Sequence, residues 1–212
     1  GMVRSAEAEG YLLDLLQALP SGNDSAELQK VRIMVAVAGN GDVSDYAYRS
    51  LEMLAADPAE PANIRNNALI NLGTLVQQRS QQGENADALR DELSAGLLQQ
   101  LGPDNHTDAS AAIFSAGNAG LLDVDAAILQ AVQQKLTTGN AKERYAAATV
   151  LSRSANEYDA LIQHAQQETS ALVNHAILYG LKPAQLTSWQ KDQLRKLAAD
   201  KPELNALITK LL

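Results

Sequence analysis

Six prolines and five glycine-containing turn signals cut this chain into short segments, and that punctuation restricts what it can become. Pro20, Pro58, Pro61, Pro103, Pro183 and Pro202 each lie between apolar-periodic segments or open one, where a missing amide hydrogen is tolerated. Between them, Ser21-Gly22-Asn23-Asp24, Gly39-Asn40-Gly41-Asp42, Gly83-Glu84-Asn85, Gly117-Asn118-Ala119-Gly120 and Gly139-Asn140 read as turns. The intervals predict about twelve helices, over 6–19, 25–39, 42–56, 62–81, 85–101, 105–117, 122–138, 140–154, 156–167, 169–182, 184–199 and 201–212. Most carry apolar residues three and four apart, as in Leu12, Leu15, Leu16 and Leu19, or Ala127, Leu129, Val132 and Leu136. Such spacing turns one stripe of each helix toward a core. Composition agrees, with 36 Ala and 32 Leu against 18 Val and Ile together, and no strand-like alternation competes. The expected fold class is all-α.

Helices of 12 to 18 residues on short loops fold back on their predecessors as antiparallel hairpins. Five segments align: Val31 to Gly39, Ile64 to Gly73, Ala109 to Gly117, Arg144 to Ser152 and Leu172 to Gly180. Each ends on a small residue, and the spacings of 34, 44, 35 and 28 suit two-helix units. This favours hairpins stacked in file, an α-α superhelix of about six hairpins forming one domain over 1–212. Within the aligned helices, Ala68, Ala112, Ala147 and Ala148 fall where neighbouring axes approach, and Leu72, Ile113 and Leu151 are expected to fill the layer between hairpins.

The string Ile64-Arg65-Asn66-Asn67-Ala68-Leu69-Ile70-Asn71-Leu72-Gly73 resembles the second helix of a HEAT-type repeat, and Glu143-Arg144-Tyr145-Ala146-Ala147-Ala148-Thr149-Val150-Leu151 is similar. A narrower resemblance covers 64–153. Ala68 to Val76, with its Leu72-Gly73-Thr74-Leu75-Val76 helix, is followed by Ala116-Gly117-Asn118-Ala119-Gly120 and another hairpin. That succession is similar to the α-helical superhelix of vitellogenin-type large lipid transfer proteins. The resemblance implies a two-layered, right-handed arc of helices. In that family the lipid cavity belongs largely to β-sheets cradled by the arc, for which this chain has no sequence, and the family's cysteines in this region are missing.

Charge and composition exclude several classes. With 25 acidic and 17 basic residues the net charge is −8, which repels phosphate backbones, so nucleic acid is not an expected partner. Zero cysteines remove disulfides, thiolate catalysis and Cys-bound metal while leaving the compartment open. No segment reaches the length of a membrane span. The Gly1-Met2 start reads as an artificial addition, leaving room for a signal peptide or a neighbouring domain ahead of it. The default location is the cytoplasm, with export to the periplasm or beyond if such a signal belongs to the natural chain.

Few residues are arranged for chemistry. His106, His164 and His175 form no i,i+4 pair; an antiparallel hairpin could bring His164 and His175 together, but no third ligand accompanies them, so no metal is expected. Asp42 and Asp45, Asp104 and Asp108, and Asp123 and Asp125 gather near turns, where carboxylates cap helices; none has the ligand order of a calcium loop. Gly117 reads as a helix stop, since no strand precedes it and no Lys-Ser/Thr follows. No nucleophile context is visible, and neither catalysis nor a cofactor is expected. Phe114 and Tyr145 read as core, while Tyr46 and Tyr48, two positions apart on a helix, cannot both face inward. Glutamine pairs such as Gln77-Gln78, Gln99-Gln100 and Gln166-Gln167 suit solvated helix faces.

The function expected from this reading is a non-catalytic scaffold, or a protein- or peptide-binding module using the concave face of the array. Arg65, Asn67, Asn71, Arg144 and Asn174, on the second helices of the pairs, are its candidate contacts. The alternative, carried by the resemblance over 64–153, is the helical part of an apolar-ligand or lipid-transfer assembly. A third reading is an enzyme similar in architecture to HEAT-repeat bilin lyases, whose motifs are absent here.

Overall fold

The computed structural model describes residues 6–39, 44–82, 86–102, 105 and 107–212. Among these the chain is all-α: α1 (Ala6–Ala18), α2 (Asp24–Ala38), α3 (Asp45–Ala56), α4 (Ala62–Gln81), α5 (Asp87–Leu101), α6 (Ser110–Asn118), α7 (Ala126–Thr138), α8 (Ala141–Leu151), α9 (Tyr158–Gln167), α10 (Ala171–Gly180), α11 (Ser188–Asp200) and α12 (Asn205–Thr209). Tight 3-10 turns at Leu121–Asp123, Ala155–Glu157, Pro183–Gln185 and Pro202–Leu204 lead into α7, α9, α11 and α12. The chain divides into two compact units, 1–129 and 130–212.

In the first unit α4 is the central element, packing against α2, α3, α5 and α6, while α1 lies on α2 and α3. Leu13, Leu16, Met34, Val37, Leu51, Ile64, Leu75 and Ile113 are fully or almost fully buried, as are the expected small residues Ala68 and Ala112. Local chemistry sets the helix starts. Asn23 caps α2 by accepting from the Ser25 and Ala26 amides at 3.0 and 3.1 Å, and Ser44 caps α3 by accepting from the Ala47 amide. Ser44 is itself held by Glu9 of α1, through both its hydroxyl and its amide. After α6 the chain turns at Gly120, whose φ of 69° suits a residue without a Cβ. The helix end expected at Gly117 falls at Asn118, one residue later.

A buried ion pair joins α2 to the segment before α4. Lys30, 2% exposed, places its ammonium 2.5 Å from Glu60 and 3.0 Å from the Ser21 hydroxyl. The second carboxylate oxygen of Glu60 is buried without a hydrogen-bond partner.

In the second unit α10 packs on α8, α9 and α12, and α11 packs on α9 and α12. Ala147, Ala148, Leu161, Ile162, Val173 and Ile177 are sealed from solvent. Asn140 and Glu143 form a reciprocal capping box at the start of α8, and Thr187 and Gln190 form another at α11. Pro183 and Pro202 each open a 3-10 turn, where no amide hydrogen is needed. Trp189, 46% exposed, sits in the first turn of α11.

Candidate functional site

Three of the five residues expected to meet a partner share one internal task. Arg65, Arg144 and Asn174 are each the fourth residue of their helix, α4, α8 and α10, and each donates to a backbone carbonyl in the segment before that helix. Arg65 reaches Glu60 O, Arg144 Nη1 reaches Gly139 O at 2.9 Å, and Asn174 Nδ2 reaches Glu168 O at 3.1 Å. Each bond fixes the direction in which the chain enters the helix. Asn67 Nδ2 and Asn71 Nδ2 donate to the carbonyls of Asn63 and Asn67, both at 2.8 Å, so they bond along α4 itself. Asn71 and Asn174 are buried, and the other three are half-buried. The structure brings Arg144 and Asn174 together at Glu168, and it places Arg65, Asn67 and Asn71 along one helix.

Glu168 organises the junction between α9 and α10. Its carboxylate accepts from Arg144 at 2.7 and 3.1 Å, from the Ser170 amide at 2.7 Å, and lies 3.0 Å from His164 Nε2. Burial pushes this carboxyl's pKa up, but the bonds from Arg144, Ser170 and His164 outweigh it and bring it down to about 2. Lys201 closes the other side, donating to the Ala165 carbonyl at 2.7 Å and to that of Glu168. With its hydrogen bonds directed at side chains and helix ends, this junction is a fastening.

The exposed counterpart lies on the outer face of α8 and α10. Val173 and Ile177 occupy the buried side of α10, while Leu172, His175 and Tyr179 recur on the other at three- and four-residue spacing. Leu172 is 61% and Tyr179 74% exposed, at the upper end of a range that also holds Tyr11 at 69% on α1 and Met53 at 59% on α3. His175 and Tyr179 stack with ring centres 5.9 Å apart. Beside them, Tyr145, Thr149, Ser152 and Arg153 from α8 and its end, with Ala176, Tyr179, Gly180 and Lys182 from α10 and its end, line a hollow of about 380 Å³.

The floor of that hollow has a steric origin. A Cβ at Gly180 would overlap the Ser152 side chain, so only glycine lets the two helix ends come this close. The neighbouring hydroxyls are internally occupied: Ser152 donates to Thr149 O at 3.0 Å and Thr149 to Tyr145 O at 2.8 Å. The rest of the lining is Tyr145, Tyr179, Arg153 and Lys182, with Ala176 and Gly180. Tyr145, expected in the core, is half-buried here because α8 directs its sealed side, Ala146, Ala147, Val150 and Leu151, inward. Phe114, also expected in the core, is half-buried on α6.

A second hollow, of about 230 Å³, lies among α3, α4 and α5 in the first unit, with Leu69, Leu72, Leu93 and Leu97 on its walls and Glu52 and Glu92 among its lining. Arg49 bridges those two carboxylates. The tyrosine pair divides as two helical positions require, Tyr46 at 49% exposure and Tyr48 at 1%. Burial and the carboxylates of Glu92 and Glu52 raise the Tyr48 phenol far above its usual range.

The other sequence candidates have local roles. Asp125 caps α7 through the Ala127 and Ile128 amides and accepts from the Ser94 hydroxyl, which holds its pKa down. Asp108 accepts from the Ser110 amide, and Asp45 pairs with Arg79. His164 and His175 contact different partners, Glu168 and Tyr179. Asp42, Asp104 and His106 lie outside the described residues. Among the described residues no three metal-ligating side chains converge, and no helix is long and apolar enough to cross a membrane. No family model matches the chain, and no curated protein matches it.

The exposed face of α10 carried a signal in the sequence. Leu172-Val173-Asn174-His175-Ala176-Ile177-Leu178-Tyr179 is apolar on two sides, whereas a helix packed on one side needs one apolar stripe.

Proposed function

We propose that this chain is a non-catalytic protein- or peptide-binding module built of stacked helical hairpins, and that the outer face of α8 and α10 is its contact surface. The observation that carries the reading is the row Leu172, His175, Tyr179, exposed beside the tyrosine-lined hollow of about 380 Å³. Aromatic side chains bury large area at small entropic cost, which favours them at contact surfaces. The stacking part of the reading is supported within each unit by packing between helices two apart, α2 with α4 and α4 with α6 in one, α8 with α10 in the other. Lipid carriage draws less support. The hollow of about 230 Å³ among α3, α4 and α5 has Glu52 and Glu92 beside its leucines and is below the usual size of a small-molecule site, roughly 300–1,000 Å³.

The test is selection from a display library of random 12-residue peptides on the full chain, followed by binding of the winners to Tyr179→Ala and Leu172→Ser. Winners that lose affinity for both variants support the reading. A library that yields none, or only peptides indifferent to both substitutions, removes it.

A further inference from the structure

The hollow among α3, α4 and α5 lies wholly within the first unit, 1–129, and is independent of the face of α10. We infer that it docks a basic amphipathic helix of a partner protein: apolar side chains enter among Leu69, Leu72, Leu93 and Leu97 while a Lys or Arg meets Glu52 and Glu92. About 230 Å³ is small for a separate ligand and sufficient for a buried anchor side chain, the usual centre of a protein contact.

Gly96 is the sharpest sign that something outside the chain belongs there. It stands inside α5, where glycine is a poor helix former, and it lines the hollow. Two other helical glycines are accounted for by close approach within the chain, since Gly73 meets the Ser115 backbone and Gly180 the Ser152 side chain. Among the described residues, no heavy atom comes within 4 Å of the place where a Cβ of Gly96 would stand. Gly10 of α1 is open as well, yet it lines none of the hollows described above. The groove thus keeps a clearing at Gly96 that the chain itself does not use.

The shape of the clearing favours a helix over an extended segment. The walls are helices whose backbone groups are engaged in their own hydrogen bonds, and the polar side chains among them are Tyr48, Glu52, Glu92 and Gln100. An extended peptide would leave most of its main-chain groups unpaired there, whereas a helix arrives with them satisfied. Small residues mark where its backbone would come closest: Ala56 follows Glu52 by one turn, and Gly96 follows Glu92 by one turn.

Charge selects the sign of the partner. Among the described residues lining the hollow, the charged ones are Glu52 and Glu92. Arg49 donates to both, and one guanidinium against two carboxylates leaves the rim negative. Burial first, then Glu92 and Glu52, raise the phenol of the adjoining Tyr48 more than Arg49 lowers it. The same sign extends over the unit, with 18 acidic and 7 basic residues in 1–129 against 7 acidic and 10 basic in 130–212. A basic helix is attracted to this unit and an acidic one is repelled.

The test is a display library of peptides of about 18 residues, five helical turns, on a fixed helical frame with one face randomised, selected on the full chain. The expected winners carry Leu, Phe or Met three or four apart, with Lys or Arg one turn away. Gly96→Leu should cost them about tenfold in affinity, although urea unfolding finds that variant no less stable than the parent. Glu52→Gln/Glu92→Gln should weaken them about threefold and flatten the salt dependence of binding. Tyr179→Ala should leave them unaffected, which separates this groove from the face of α10. Winners indifferent to Gly96→Leu, Gly96-dependent winners without basic residues, or no winners at all overturn the inference. A chain that sediments as a dimer until Gly96→Leu separates it assigns the groove to a second copy, which overturns it as well.

Discussion

Gly73 of α4 and Ser115 of α6 meet backbone to backbone. A Cβ at position 73 would stand 2.9 Å from the Ser115 carbonyl carbon and 3.0 Å from its Cα, and closer still to the carbonyl oxygen. What would have to yield is therefore main chain, which cannot rotate away. Gly73→Ala should cost about 1–3 kcal/mol or more by forcing the two helices apart. Gly96 of α5 supplies the comparison, since a Cβ there meets nothing within 4 Å. Gly96→Ala should gain about 0.5–1 kcal/mol from helix propensity. Urea unfolding of the two variants should move the midpoint in opposite directions, and a shared direction would contradict the packing described for α4 and α6.

The Lys30–Glu60 pair makes a sharper contrast between single and double substitution. Lys30→Met leaves the Glu60 carboxylate buried without its partner and should destabilise by about 3–5 kcal/mol. Lys30→Met/Glu60→Leu removes both charges and should recover most of that loss. A double-mutant cycle on unfolding free energies reads the coupling directly; additive losses would mean that the two groups act separately.

Ala147 is fully buried on α8. Ala147→Leu should overpack that position and cost about 1–3 kcal/mol, visible as a lower denaturation midpoint. An unchanged midpoint would show that the layer has room for a larger side chain.

Glu168 ties stability to acid pH. Its pKa of about 2 in the folded protein lies below the usual 4.5, so the folded state holds the ionised form more strongly than the unfolded state does. The resulting stabilisation is complete above about pH 4.5 and disappears as pH falls toward 2. Glu168→Gln should be less stable at neutral pH and should show a shallower fall of Tm across that interval. Parallel curves for the two proteins would assign the acid sensitivity to other carboxylates.

Much of the helical order was legible because turn chemistry and apolar period agree over most segments. The predicted 62–81 coincides with α4, and 6–19, 25–39 and 85–101 differ from α1, α2 and α5 by at most two residues at either end. The misplacements have a common cause. Ala155–Glu157, Pro183–Gln185 and Pro202–Leu204 are helical in composition but wind as 3-10 turns before the α-helix begins, so α9, α11 and α12 start later than the period implies. The start of α6 comes five residues late for a different reason, since Asp108 engages the Ser110 amide just ahead of it.

The candidate site was harder to read. Arg65 and Arg144 lie eight residues before the ends of their aligned segments and Asn174 six before its own, so the shared fourth position appears only in the structure, and sequence gives no sign that the acceptors are carbonyls in the preceding segment. The two apolar sides of α10 are visible in the sequence, but which of them holds Leu172 and Tyr179 in solvent is not. An apolar residue on an apolar helix looks like core until the side turned toward α8 and α9 is known.

The single tryptophan gives the chain a built-in local reporter. Trp189 belongs to α11, within 130–212, and no tryptophan lies in 1–129. Its fluorescence during a melt consequently follows the loss of one unit, whereas the heat absorbed in calorimetry sums over both. Agreement or separation of those two traces reads out whether the halves of this polypeptide unfold as one cooperative body.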